Sequence, residues 1–190
     1  MKKLLLSASL LISALGAQAQ LAPGSIAPDF TVSAYQPWLS TAGMNNNGTY
    51  NLYDYLDAGK MVVIDVSATW CGPCWAYHET GALNDFYNAH GPNGANDAMA
   101  FFIEGDVSTG SAELNGGAGS QGDWVTGEDL PIIDLTSEAD FTNSGLVIPY
   151  YPVMYVICPN RVIIQADVAG VIGTLDLLNS YVGDCPAPAS

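Results

Sequence analysis

Cys71 and Cys74 are separated by Gly72 and Pro73, a spacing at which two thiols can make and break a disulfide. One thiolate attacks a partner, and the second closes the ring and releases it. Asp65 stands six positions before Cys71 inside the apolar run Met61 to Ser67. From the residues alone it is either a buried carboxylate, whose pKa burial would raise into a useful proton-exchange range, or a solvated acid at a strand end. His78 lies one helical turn beyond Cys74, so Cys71, Cys74 and His78 form a conceivable zinc set. No fourth ligand stands near them in sequence, and Gly-Pro suits a helix start instead. No metal and no cofactor beyond the redox disulfide is therefore expected. His78 reads as an ordinary helix residue and His90 as a loop residue.

The elements that must position the dithiol follow from periodicity. Met61 to Ser67 is nearly continuously apolar and β-branched, as a central strand covered on both faces is. Pro73 to Ala89 has helical spacing, with Trp75, Ala82, Leu83 and Phe86 on one side and Pro73 in the first turn. Gly81 weakens that helix by about 1 kcal/mol relative to Ala. Residues 90–97 read as a loop, Ala98 to Glu104 as a second buried strand, and Leu130 to Leu135 as a short one. Residues 105–128 are Gly-rich and acidic, without periodicity. Pro152 to Cys158 and Arg161 to Val168 form a hairpin about Pro159-Asn160. Leu175, Leu178 and Val182 then share a helical face, with Gly183 as its terminator. Upstream, Leu21 to Phe30 is extended, Asn45 to Gly48 is a turn, and Asn51 to Leu56 is a short helix or strand. Asn47-Gly48-Thr49 matches a glycosylation acceptor only incidentally. This order predicts one α/β domain over residues 20–190, a mixed sheet sandwiched by helices.

Residues 1–19 read as a cleavable signal peptide. Lys2 and Lys3 precede a 12-residue apolar run, Leu4 to Leu15, and Ala17-Gln18-Ala19 supplies the small-x-small cleavage pattern. The run is shorter than the roughly 20 residues a spanning helix needs, so export without membrane insertion is expected, to a periplasm or to the exterior. Beyond it only Lys60 and Arg161 face 19 acidic residues. Such a field repels nucleic acid and anionic membrane surfaces and favours solubility.

Trp70-Cys71-Gly72-Pro73-Cys74, following a strand that carries Asp65, resembles the active site of the thioredoxin superfamily. The stretch from Gly59 to Cys74, with the entry Gly24-Ser25-Ile26-Ala27-Pro28-Asp29-Phe30, is similar to its exported redoxin and thiol-disulfide interchange branch, the TlpA-like proteins. Tyr151-Pro152 matches the cis-proline position of that family. The resemblance spans roughly residues 24–182 and implies a three-layer α/β sandwich, with an N-terminal extension and an insert before the cis-proline strand. It implies that Cys71, at the mouth of a helix whose N–H groups stabilise a thiolate, attacks a protein disulfide. It further implies that Cys74 resolves the mixed disulfide, that Asp65 takes the Cys74 proton, and that Pro152 frames an extended substrate segment beside Tyr151. Trp70, Gly72 and Pro73 would complete the substrate-facing surface, with Trp70 packing beside the dithiol. The alternative reading of Pro152, without the family, is an ordinary trans proline opening a strand. Gly-Pro between the cysteines resembles strongly reducing thioredoxins, at about −270 mV, and implies a reductase fed by an unidentified membrane donor.

Three departures from the family stand out. The strand after the dithiol helix, Ala98 to Glu104, lacks the lysine that accompanies the buried acid. Tyr151 replaces a small aliphatic residue. Segment 105–149 exceeds the thioredoxin minimum and is expected to shape a substrate surface. If the 152–158 strand runs away from the dithiol end, Cys158 and Cys185 meet at the opposite end. A structural disulfide there would contribute roughly 3–4 kcal/mol on the entropic model; two free thiols or a second redox pair are the alternatives. A peroxidase of the peroxiredoxin type needs Pro and Thr seven and three places before its nucleophile, where this chain has Ile64 and Ala68, and an arginine, of which Arg161 is the sole example. A non-catalytic binding module would use the acidic insert and the tail Cys185 to Ser190, but would have no need of Cys71, Cys74, Asp65 and Pro152 together.

Overall fold

The computed structural model describes residues 20–33, 48–137, 139, 141 and 145–186. Residues 1–19, for which a signal peptide is expected, Asn45 to Asn47 and the last four residues of the tail lie outside them. Strands β1 (Thr31–Ser33) and β2 (Thr49–Asn51) pair antiparallel as a small ribbon. Asn51 ends β2 and begins α1 (Leu52–Asp57), its side chain accepting the Asp54 N–H at 3.1 Å. One residue thus serves as strand end and helix cap, which is why 51–56 reads as either.

The chain then enters β3 (Met61–Ser67), α2 (Gly72–His78), α3 (Ala82–His90) and β4 (Ala98–Glu104). It continues through α4 (Ser111–Leu114), β5 (Ile132–Asp134), β6 (Val153–Ile157), β7 (Ile163–Asp167), α5 (Ala169–Ile172) and α6 (Leu175–Asp184). The sheet order is β5-β4-β3-β6-β7, parallel on the β5-β4-β3 side and antiparallel through β6 and β7. Every residue of β3, β4 and β6 is buried, because both faces are covered. On one face α1 packs on β3, and Tyr50 and Tyr55 meet the Phe101 ring at 5.2 and 5.6 Å. On the other, α3 covers β4, α6 packs against α3, and α2 meets α5.

Three boundaries differ from expectation. The helix predicted over Pro73 to Ala89 is two helices. Gly81 adopts φ 67°, a left-handed conformation that favours glycine, and Thr80 holds the corner. Its hydroxyl donates to the Tyr77 carbonyl at 2.7 Å and accepts the Ala82 N–H at 3.2 Å, a local bond that competes with helix continuation. Gly183 does not terminate the last helix, which runs to Asp184 and caps at Cys185, where the disulfide to Cys158 holds it. The second hairpin strand is Ile163–Asp167, since Arg161 sits in the turn with φ 69°.

The aperiodic stretch 105–128 is ordered by long-range packing. Trp124 is fully buried, its ring 5.4 Å from Phe102, 4.9 Å from Trp75 and 4.8 Å from His78. Gly122 lies so close beneath the Trp75 ring that any β-carbon would overlap it. Such a segment has no repeating pattern, since each residue answers to a different neighbour.

Candidate functional site

β3 ends at Ser67, a short loop follows, and α2 begins one residue past Cys71. Cys71 is the N-cap of α2, and its Sγ accepts the Cys74 N–H at 3.3 Å. Pro73 sits in the first turn, where its missing N–H costs nothing. A disulfide joins Cys71 and Cys74. Cys71 is 4% exposed and Cys74 0%, whereas Gly72 and Pro73 are exposed and Trp70 is 47% exposed. The exposed surface at the disulfide is therefore formed by Trp70, Gly72 and Pro73, with only the edge of Cys71 reaching it.

Asp65 lies beneath α2. It is buried, and the Ser67 hydroxyl donates to its two oxygens at 3.0 and 3.2 Å. Burial pushes its pKa up to about 7, and the Ser67 bond offsets part of the rise. Its partners across the sheet are Phe102 in β4 and Met154 in β6, so neither neighbouring strand offers a cation there. Burial also raises the Tyr77 phenol, with the Asp65 charge adding to it; the Tyr77 hydroxyl donates to the Gly173 carbonyl at 2.9 Å.

The loop before the dithiol is clamped from two sides. From β4, Glu104 accepts the Thr69 N–H at 2.7 Å, the Asp106 N–H at 3.0 Å and the Thr109 hydroxyl at 2.8 Å. Asp106 accepts the Trp70 indole N–H at 2.7 Å. From the insert, the Gln121 N–H donates to the Thr69 carbonyl and its amide to the Trp70 carbonyl, both at 2.9 Å. Glu104, Asp106 and Gln121 escaped the sequence analysis. For Glu104 a signal existed, an acid closing an otherwise apolar strand as Asp65 interrupts another. Glu104 is fully buried, and burial lifts its pKa to about 7 against those hydrogen bonds.

The Tyr151–Pro152 peptide is cis. Val153 pairs with Val66, so this turn sits at the end of β3 that leads into the dithiol loop. The Tyr151 ring meets Trp70 edge-on at 5.9 Å. On the other side of α2, a groove of about 510 Å³ runs between Pro73, Ala76 and Thr80 and the Gly170, Thr174 and Leu175 segment. Cys158 and Cys185 form a second disulfide. Cys158 follows Ile157, which pairs with Val62 at the start of β3, so this bridge lies at the end of the sheet opposite the dithiol. Arg161 stacks over Tyr53 at 3.8 Å and pairs with Asp57 at 2.8 Å; it ties the hairpin turn to α1. Among the described residues no group of three or more His, Cys, Asp or Glu could hold a metal ion, and no helix is long and apolar enough to cross a membrane.

No protein-family model and no curated protein matches the sequence. Solved structures do match. The thioredoxin domain of a thiol-disulfide oxidoreductase from Bacteroides vulgatus is 18% identical, with a TM-score of 0.57 over 88% of this chain and 100% of that one. A thiol:disulfide interchange protein from Bacteroides sp. is 20% identical, with a TM-score of 0.52 over 85% and 88%. A thioredoxin-like protein from Bacteroides caccae is 10% identical, with a TM-score of 0.57 over 85% of this chain and 49% of that one. At such identities the likeness speaks for architecture: the chain has a thioredoxin-like α/β fold, with a Cys-X-X-Cys disulfide where its central strand gives way to a helix.

Proposed function

We infer that this chain is an exported thiol-disulfide oxidoreductase acting on protein substrates, and that it works as a reductase. The observation that carries this is the placement of the Cys71–Cys74 disulfide at a helix start, over the buried Asp65. In the reduced protein, the Cys71 thiolate attacks one sulfur of a substrate disulfide, forming a mixed disulfide and releasing the first substrate thiolate. Asp65 takes the Cys74 proton. The Cys74 thiolate then attacks Cys71 Sγ, closing the internal disulfide and releasing the second substrate thiolate. Two electrons pass to the substrate, and a membrane donor must restore them. Trp70, Gly72, Pro73 and Tyr151 form the contact surface, and Pro152 shapes the backbone beside it. The neighbouring groove of about 510 Å³ beside Pro73 extends that surface. Residues 1–19 direct export, and Cys158–Cys185 is structural.

The test is the reduction potential of the Cys71–Cys74 pair, by equilibration in thiol buffers with trapping of free thiols, with Cys158 and Cys185 replaced by Ser as control. A value below about −230 mV supports a reductase, whereas one near about −120 mV reverses the direction of electron flow. Absence of any reversible couple removes the enzymatic reading and leaves a binding module.

A further inference from the structure

Asp65 faces a small cavity that also holds two titratable groups from elsewhere. Its lining includes His78 from α2 and Glu128 from the insert, together with Tyr77, Asn84 and Trp124. The space measures about 10 Å³, close to the least volume that holds one water, and its lining offers the several polar partners such a water requires. His78 Nε2 stands 3.6 Å from Glu128 Oε1, and their side chains are 15% and 13% exposed. Burial therefore falls away from Asp65 towards these two groups, which touch solvent.

Resting on the dithiol chemistry inferred above, we propose that the cavity is the proton exit from Asp65, with Glu128 as the outer acceptor beside His78. One proton leaves Cys74 Sγ for the Asp65 carboxylate. It crosses a cavity water to the Glu128 carboxylate, and Glu128 gives it to solvent. Both carboxylates return to their starting charge, and no electrons move in these steps. Without such a route a proton on Asp65, sealed below α2, must wait for the fold to open.

The electrostatics agree. Burial pushes Glu128 up to about 7, with Asp129 and Asp85 adding to the rise. The same burial pushes His78 down to about 4, partly opposed by Asp123. At neutral pH the imidazole is thus uncharged, and the contact is no ion pair. Glu128 instead exchanges protons in the same range as Asp65, whose other close groups are Ser67 and Tyr77, a match that favours transfer in either direction.

The test uses the reduced full chain with excess Ellman's reagent, which reports each thiol step as released thionitrobenzoate. The first release follows Cys71 attack; the second follows Cys74 attack and needs the Cys74 proton removed. At pH of about 6, below the Asp65 pKa of about 7, Asp65 must give up its own proton before it can accept one from Cys74. In Glu128→Gln at that pH and low buffer concentration, the second release should therefore slow about tenfold while the first serves as internal control. Added formate should restore it, and Glu128→Asp should retain much of the wild-type rate. A second release that is unchanged in Glu128→Gln, or slowed but not rescued by formate, overturns the relay while leaving the dithiol chemistry standing. A wild-type chain that shows no second release overturns both.

Discussion

The backbone N–H of Thr69 donates to Glu104 Oε2 at 2.7 Å, tying the loop two residues before Cys71 to the end of the adjacent strand. A buried carboxylate that accepts three hydrogen bonds is a rigid anchor. Glu104→Gln keeps the shape but turns an NH2 group towards one of the donors. The expected result is a loss of about 1–3 kcal/mol in urea unfolding, with faster hydrogen exchange at the Thr69 amide. Unchanged exchange there would show that Glu104 does not fix the loop.

Asp65 makes stability depend on pH. Its pKa is about 7 in the fold against an ordinary 3.8, so the folded state binds its proton more tightly than the unfolded chain. That contribution is fully present below pH of about 4 and is lost as pH rises through about 7. The loss is on the order of 4 kcal/mol. Asp65→Asn is therefore expected to melt at a higher temperature than wild type at pH 8, with the gap shrinking towards pH 4. A downward slope remains in the variant, because Glu104 and Glu128 are shifted the same way. Thermal melting across pH checks this, and a constant gap would contradict it.

The Thr69 hydroxyl is buried and has no hydrogen-bond partner among the described residues. Thr69→Val removes the unsatisfied oxygen at nearly constant shape, while the N–H to Glu104 persists. A gain of about 1 kcal/mol is expected, read from denaturant midpoints at an unchanged slope.

The Cys158–Cys185 bridge closes a sequence separation of 27 residues at the end remote from the dithiol. Replacing both cysteines by Ser should cost about 3–4 kcal/mol of stability. The potential of the Cys71–Cys74 pair should stay within experimental error. A shift in that potential would mean that the two disulfides communicate.

What could be read without the fold follows from local rules. Seven consecutive buried residues in β3 need a nearly continuous apolar run, and Met61 to Ser67 carries one that only Asp65 and Ser67 interrupt. Gly-Pro between two cysteines needs a helix start, and α2 provides it. The single helix expected over Pro73 to Ala89 failed because helical spacing persists on both sides of Gly81, so the turn there leaves the periodicity almost intact. The insert was opaque for the opposite reason. Trp124 packs on Phe102 of β4 and on Trp75 and His78 of α2, and such long-range contacts leave no period in the segment that makes them.

The sequence alone determined the dithiol, an acid six positions before it and the strand-helix frame, because those depend on neighbours a few positions apart. Only the tertiary structure decided that Glu104 and Gln121 hold the loop before Cys71, and that Glu128, 63 positions beyond Asp65, lines the same cavity. Hydrogen bonds and shared cavities act through distances of a few ångströms in space. Long-range chain folding, which no local pattern encodes, sets which residues come that close.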